Sequence, residues 1–112
     1  MLDIYKNLLT EKGRELHAKS LVGEKIEFTR FQLGNGTYTG TESAATLEKM
    51  LTLKSGKDYF GISKVEVANE STCRLSLIAT NKDVKEAYYV TELGVYAKGG
   101  DGKEVLYSIM VT

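Results

Sequence analysis

Several residue types are absent from this chain or nearly absent. Its 112 residues include no proline and no tryptophan, one cysteine and one histidine. A single cysteine excludes a disulfide within the chain, and one cysteine with one histidine cannot supply the ligands of a closed zinc site. No apolar run approaches ~20 residues, so the sequence predicts no transmembrane helix. Asp3 and the lack of a long apolar segment near the start predict no signal peptide.

The chain also lacks an excess of either charge. It has 15 basic and 15 acidic residues, and its formal net charge is zero. A balanced charge gives no electrostatic reason to bind nucleic acid or an anionic membrane, and it weakens the repulsion that keeps copies apart. The length predicts a single domain over residues 1–112.

The most informative stretch is residues 88–110, which predicts a β-hairpin. Two segments rich in Val, Tyr, Leu and Ile, residues 88–97 and 104–110, flank a turn with three glycines. The first segment has large apolar groups on both faces, so we expect an interior strand of a sheet. Glu92 and Gly94 are unusual in such a strand, because a buried carboxylate needs partners and a glycine weakens a strand. We therefore expect Glu92 to be buried and hydrogen-bonded to backbone amides or a tyrosine hydroxyl.

Two helices are predicted. Residues 3–22 have helical periodicity, and Thr10 is a possible N-cap, in which case residues 3–9 form a separate arm. Gly23 suits the position just after the helix as its C′ residue, and Gly13 is either a tolerated interior glycine or a point of close packing on a sheet. A second, short helix is expected over 44–51. Its N-cap is Ser43 or Thr41, and its buried residues are Leu47, Met50 and Leu51.

The remaining segments predict strands. Residues 26–33 and 59–67 each switch the parity of their apolar positions, which favours a bulge or twist around residues 29–30 and a local irregularity in the second segment. Residues 72–80 alternate regularly, so 59–80 predicts a second hairpin, with Cys73 in the main core. The fold class is therefore α+β: an N-terminal helix packed on a mostly antiparallel β-sheet of about five strands, plus a short second helix.

Catalytic chemistry finds no support in the sequence. His17 has no nucleophile and acid in a recognisable motif, and Cys73 alternates with leucines as a small core residue does. Gly34 and Gly36 lack the third glycine, the lysine and the following helix of a nucleotide loop. We assign no catalytic, cofactor-binding or metal-binding residues and expect a protein that is not an enzyme.

Three short motifs carry a resemblance to a known family. The chain reads TEKG at residues 10–13, LGNG at 33–36 and YYVTELGVYA at 88–97. In this order they resemble the N-terminal domain of phage tail-collar fibre proteins. The resemblance implies a structural domain of a phage or prophage tail fibre that attaches the fibre to baseplate or other tail proteins, in the virion tail after synthesis in the host cytoplasm. It also implies a homo-oligomer in the full fibre, and a longer protein of which this is the attachment domain.

The residues that would make such contacts are candidates only by type and position. Tyrosine is common both at the rims of cores and at protein interfaces, and Tyr88, Glu92, Tyr96 and Tyr107 are our interface candidates. We expect weak self-association through a free edge of the strand 104–112 or through the aromatic face around Tyr88 and Tyr96. The alternative function is a stand-alone protein-interaction module or fibre-assembly factor.

Overall fold

The architecture comes from a computed structural model, which describes residues 6–39, 41–69, 72–77 and 88–111. For residues 6–7, 63–69 and 72–77 it describes the backbone alone. The elements in chain order are β1 (Lys6–Leu9), α1 (Glu11–Ser20), β2 (Glu27–Gly34), α2 (Ala44–Glu48), β3 (Gly56–Asn69), β4 (Thr72–Leu77), β5 (Glu92–Lys98) and β6 (Glu104–Val111).

The strands form one antiparallel sheet in the order β1-β6-β5-β2-β3-β4. This confirms the α+β class, with a helix near the N-terminus and a short second helix. The strand beyond the five expected is β1, which occupies the arm that precedes Thr10.

Both predicted hairpins are confirmed. β5 pairs with β6, and β3 pairs with β4. β5 lies between β2 and β6, so it is an interior strand as expected. It begins at Glu92 rather than at residue 88. Just before it, the Thr91 N–H donates to the carbonyl of Gly34, the last residue of β2, at 3.0 Å, and the Thr91 hydroxyl donates to the Gly36 carbonyl in the following loop at 2.7 Å.

An irregularity is present in both segments where the parity switches predicted one. The pairing of β2 with β5 shifts register between Phe28 and Arg30, and the pairing of β3 with β4 shifts between Ile62 and Lys64. An extra residue on one strand moves the following side chains to the other face. The parity switches in the sequence are therefore the direct trace of these irregularities.

Of the two alternatives for the first helix, the shorter one is correct: α1 begins after Thr10, and it ends at Ser20. Thr10 is its N-cap, with the side-chain oxygen accepting the Gly13 N–H at 3.0 Å, and residues 6–9 before it are extended. The C-cap is Leu21, so Gly23 lies two residues beyond it rather than at C′, and its φ of 101° turns the chain toward β2.

Helix α2 has the expected N-cap, Ser43, but ends at Glu48. Leu47 is fully buried and Met50 is half-buried. The predicted burial of Leu51 is wrong, because the helix stops before it and leaves its side chain 65% exposed.

The main core lies where α2 and its flanking loops cover the β6 side of the sheet. Its fully or almost fully buried members are Leu47, Leu53, Ile109 and Val111, and Leu8, Tyr38 and Met50 pack against them. On β2, Phe31 is buried and its ring stacks on that of Phe60 at 5.3 Å.

The expectation of a free edge at residues 104–112 is wrong. β6 pairs with β5 from Glu104 to Val111 on one side and with β1 from Ser108 to Val111 on the other, so this second half of the strand has partners on both sides. Among the described strands the sheet edges are β1 and β4. Cys73 lies on β4 opposite Val67; the predicted burial of its side chain falls outside the described side chains.

Candidate functional site

The carboxylate of Glu92 is the centre of the most elaborate polar site in the described residues. Its side chain has no exposed surface. Oε1 accepts hydrogen bonds from the Tyr38 hydroxyl at 2.5 Å and the Lys54 N–H at 2.9 Å, and Oε2 accepts from the Gly36 N–H at 2.8 Å and the Ser55 N–H at 2.9 Å. A carboxylate has about four acceptor positions, so this one is fully used. The prediction for Glu92 is confirmed, with both kinds of donor present.

Two glycines give the carboxylate its space. A Cβ on Gly34 would lie 2.6 Å from Glu92 Oε2, and a Cβ on Gly36 would lie 2.7 Å from the same oxygen and 2.6 Å from Cβ of Lys54. No residue with a side chain fits at either distance without movement of its neighbours. The Gly34-x-Gly36 pattern, which fails as a nucleotide loop, is therefore explained by close approach of an acidic side chain.

The site joins two loops that are distant in sequence. Residues 35–38 follow β2, and Lys54 and Ser55 precede β3; the Asn35 N–H also donates to the Ser55 carbonyl at 3.1 Å. Lys54 continues outward, where its Nζ donates to the Thr37 carbonyl at 2.9 Å and lies 4.2 Å from the Tyr38 ring. One buried side chain thus fixes both loops to the centre of the sheet.

The hydrogen bonds of the Glu92 carboxylate are made to the chain itself, so the site stabilises the two loops. Burying a charge is costly unless it is hydrogen-bonded, and here every acceptor position is filled by the chain itself. Glu92 has no free lone pair for a metal ion and no exposed surface for proton exchange with a bound molecule. Its role in the described structure is to hold the loops.

The motif at residues 10–13 is explained by a second close contact. The Thr10 N–H donates to the Tyr107 carbonyl at 3.1 Å, and its hydroxyl donates to the Leu106 carbonyl. A Cβ on Gly13 would lie 2.0 Å from the Tyr107 carbonyl oxygen. Of the two interpretations of Gly13, close packing on the sheet is therefore correct.

The four interface candidates are placed differently from one another. Glu92 is fully buried and Tyr96 is 7% exposed, so neither presents a surface on the isolated chain. Tyr88 and Tyr107 are half-buried. The residue of this stretch that faces solvent is Tyr89, which is 92% exposed and was not among the candidates. A role of the four in an interface stays a prediction.

Hydrogen bonds and ring contacts of the candidate tyrosines fix their orientation. The Tyr88 hydroxyl donates to Asp58 Oδ2 at 2.7 Å, and burial together with this bond raises its pKa. Tyr96 donates to Gln32 Oε1 at 2.9 Å, and burial raises its pKa to about 12. The Tyr107 ring meets that of Phe28 edge-on at 5.1 Å.

A second polar cluster, which the sequence did not indicate, joins β2 to β6. The Arg30 guanidinium donates from Nε and Nη2 to Glu104 Oε1 at 3.1 and 2.8 Å and lies 3.7 Å from the centre of the Tyr59 ring. Thr29 donates to the other oxygen of Glu104. Burial alone would raise the pKa of Glu104, but the bonds from Thr29 and Arg30 outweigh it and lower that pKa.

His17, a metal site and a membrane span were also considered in the sequence. The His17 side chain is exposed on α1. Among the described residues, no three His, Cys, Asp or Glu side chains come together in a way that could hold a metal ion. Neither helix of the described segments is long and apolar enough to cross a membrane.

Comparisons with known proteins give no relative. No family model matches the chain, and neither a curated protein nor a solved structure matches it.

The sequence pointed to Glu92 but not to its partners. Of the four donors, three are backbone amides, which have no signature of their own. The available signal was the pair of glycines at 34 and 36, since two glycines that fit no nucleotide loop indicate some other close approach.

Proposed function

We propose that this chain is a non-catalytic structural domain of a phage or prophage tail fibre that attaches the fibre to the tail baseplate. The observation that supports the proposal is spatial. The three motifs behind the resemblance, at residues 10–13, 33–36 and 88–97, serve one framework around β5 and β6. LGNG supplies the space and one amide for Glu92 of the third motif, and TEKG seats α1 on the β6 backbone.

An attachment domain has to keep its shape under load, and this framework suits that task. The Glu92 site ties two loops to an interior strand through residues more than 35 positions apart in sequence. Such bonds need no ligand to form, so the loops are held in the absence of a partner. Tyr89 offers a rigid amphipathic contact on the surface, of the type enriched in interfaces.

The partners we propose are baseplate or other tail proteins, with further copies of the chain in the complete fibre. The place of action is then the virion tail. The second candidate, an interaction module or fibre-assembly factor, rests on the same surface and differs in whether the protein stays in the finished particle.

The test is to locate the chain in purified particles. An epitope-tagged copy is expressed in the strain that carries the gene, phage production is induced, and the particles are examined by immunogold electron microscopy. We expect gold at the junction of fibre and baseplate. Tagged chain that co-purifies with unassembled fibres but is absent from particles would favour the assembly factor, and chain found in neither would overturn both.

A surface variant links the result to the structure. Tyr89→Ala should lower incorporation of the tagged chain into particles without changing its melting temperature, because the ring is 92% exposed. Leu51→Ala, at another exposed apolar residue, is the matched control and should incorporate normally. Equal incorporation of the two variants would remove Tyr89 from the attachment surface.

A further inference from the structure

The β3–β4 hairpin extends beyond the rest of the sheet. β3 pairs with β2 only over its first part, from Gly56 to Gly61, and pairs with β4 from Ile62 to Asn69. Among the described strands β4 pairs with β3 alone. The second half of β3 and the whole of β4 therefore form a two-stranded ribbon. Among the described strands, neither the outer edge of β4 nor the outer edge of β3 beyond Gly61 has a partner. A two-stranded hairpin is only marginally stable on its own in water.

The register divides this ribbon into two faces. Between the bulges, Val65 lies opposite Leu75 and Val67 opposite Cys73, and beyond the first bulge Ile62 lies opposite Leu77. The alternate positions pair Lys64 with Ser76 and Glu66 with Arg74. Because successive residues of a strand belong to opposite faces, the positions on one face are all apolar and those on the other all polar or charged.

We propose that two copies of this chain associate through the edge of β4. The two β4 strands pair antiparallel about a twofold axis that passes midway between the two copies of Leu75. This joins two ribbons into a four-stranded sheet and gives a partner to the backbone groups of each β4 that have none among the described strands. The inference stands apart from the proposed function, since it needs neither a baseplate nor a fibre.

Two conditions select Leu75 as the centre. The apolar positions of the two ribbons must lie on the same face. This requires a register in which one residue lies directly opposite its own copy, with the axis midway between the two. An axis through Arg74 would place that arginine directly opposite its copy, and like charges directly opposite each other are destabilising. An axis through Leu75 instead pairs Leu75 with itself, Cys73 with Leu77, and Arg74 with Ser76.

The sequence favours a second copy over an unrelated partner because the edge is complementary to itself. Pairing about Leu75 leaves no like charges opposite each other across the new edge, and the zero net charge of the whole chain weakens repulsion between copies. The other sheet edge, β1, is less suitable. It has four residues and begins with a lysine, and short, charged edge strands resist pairing.

Cysteine cross-linking tests the register directly. In a Cys73→Ser background, Leu75→Cys places one thiol of each copy directly opposite the other, with Cα atoms about 4.5–5.5 Å apart, within disulfide range. Mild oxidation should convert most of the protein to a disulfide-linked dimer on non-reducing gels. The Cys73→Ser parent should remain monomeric on the same gels.

A neighbouring position supplies the matched control. Ser76→Cys in the same background puts the two thiols two residues out of register, at a Cα separation of roughly 8 Å, too far for a disulfide. It should cross-link far more slowly than the variant at position 75. Equal rates at both positions would show random collision and overturn the proposal.

Charge substitutions test the same interface without cysteine. Ser76→Glu should tighten the dimer by roughly two- to tenfold, because each glutamate then faces Arg74 of the other copy. Leu75→Lys should weaken it by about tenfold or more through repulsion at the axis. The measurement is the dissociation constant from sedimentation equilibrium over a concentration series, with circular dichroism to verify folding.

Three outcomes would contradict the proposal. The natural chain could stay monomeric at all concentrations, the variant at position 75 could fail to cross-link although folded, or Ser76→Glu could leave the dissociation constant unchanged. A cysteine at position 75 that links to a co-expressed tail protein in preference to its own copy would assign the edge to that partner instead.

Discussion

The hydroxyl of Tyr38 donates a hydrogen bond to Oε1 of Glu92 at 2.5 Å, and this carboxylate has no exposed surface. The two residues are 54 positions apart. Their contact closes a loop that begins at the end of β2 and returns to the middle of the sheet, so a polar pair, rather than apolar packing alone, determines the path of the chain between β2 and β3.

Removing the hydroxyl should destabilise the protein measurably. Tyr38→Phe keeps the ring and deletes one of the four donors, so we expect a loss of about 1.5–3 kcal/mol in the free energy of unfolding, the range for bonds to charged groups. Urea denaturation measures it. Tyr89→Phe is the control, because that ring is 92% exposed and its hydroxyl should contribute little. Equal effects of the two substitutions would refute the role of Tyr38.

Glu92→Gln tests whether the site needs a carboxylate. The amide has the same shape, but its NH₂ group must face a donor that now has no acceptor. We expect a loss of about 3 kcal/mol or more, as for other buried charge networks with one partner removed. Glu24→Gln, at an exposed position, should be neutral. A melting temperature unchanged by Glu92→Gln would mean that an uncharged acceptor serves equally well.

The sequence predicted the fold and half of this site. The apolar patterns of the strands predicted both hairpins, and the parity switches predicted an irregularity in both β2 and β3, because these features depend on neighbouring residues in the sequence. The conflict between a carboxylate and an apolar strand singled out Glu92. Its partners escaped prediction because backbone amides look alike in a sequence, and the extended conformation of β1 escaped because only pairing with β6 determines it. The cluster of Arg30 and Glu104 likewise depends on register between strands distant in sequence.

Gly36→Ala should be destabilising although alanine is usually harmless. Its Cβ would lie within 2.7 Å of Glu92 Oε2 and 2.6 Å of Lys54 Cβ, so the loop must move away from the carboxylate. We expect a loss of about 1–3 kcal/mol, as for overpacking. Gly61→Ala is the matched control, since a Cβ there meets nothing within 4 Å. Thermal melting of both variants decides, and a neutral Gly36→Ala would mean that the loop adapts freely.

Glu104 should make the stability depend on pH in the acid range. Its folded pKa lies below its ordinary value of 4.5, so the native state favours the ionised form. The contribution is complete above the unfolded pKa and is lost as the pH falls through the folded pKa. The stability difference between wild type and Glu104→Gln should therefore shrink below about pH 4.5.

A double-mutant cycle separates this contribution from other carboxylates. In an Arg30→Gln background, Glu104→Gln should change the pH dependence less, because the main cation at Glu104 is gone. Unfolding free energies at several pH values provide the cycle. Parallel curves for wild type and Glu104→Gln from neutral to acid pH would contradict the prediction.

Gly13→Ala should destabilise the protein, although a change from glycine to alanine within a helix usually stabilises it. Inside a helix, replacing glycine by alanine normally stabilises by about 1 kcal/mol. Here the new Cβ would lie 2.0 Å from the Tyr107 carbonyl oxygen, a backbone atom of β6 that cannot turn aside as a flexible side chain can. The helix must instead shift away from the sheet, which strains the hydrogen bonds from Thr10 to the same strand. We expect a net loss of about 2 kcal/mol or more in unfolding free energy.

Ala18→Gly, at an exposed position of the same helix, should follow the ordinary rule and lose about 1 kcal/mol. Stabilisation by Gly13→Ala would mean that α1 does not pack on β6 at this distance.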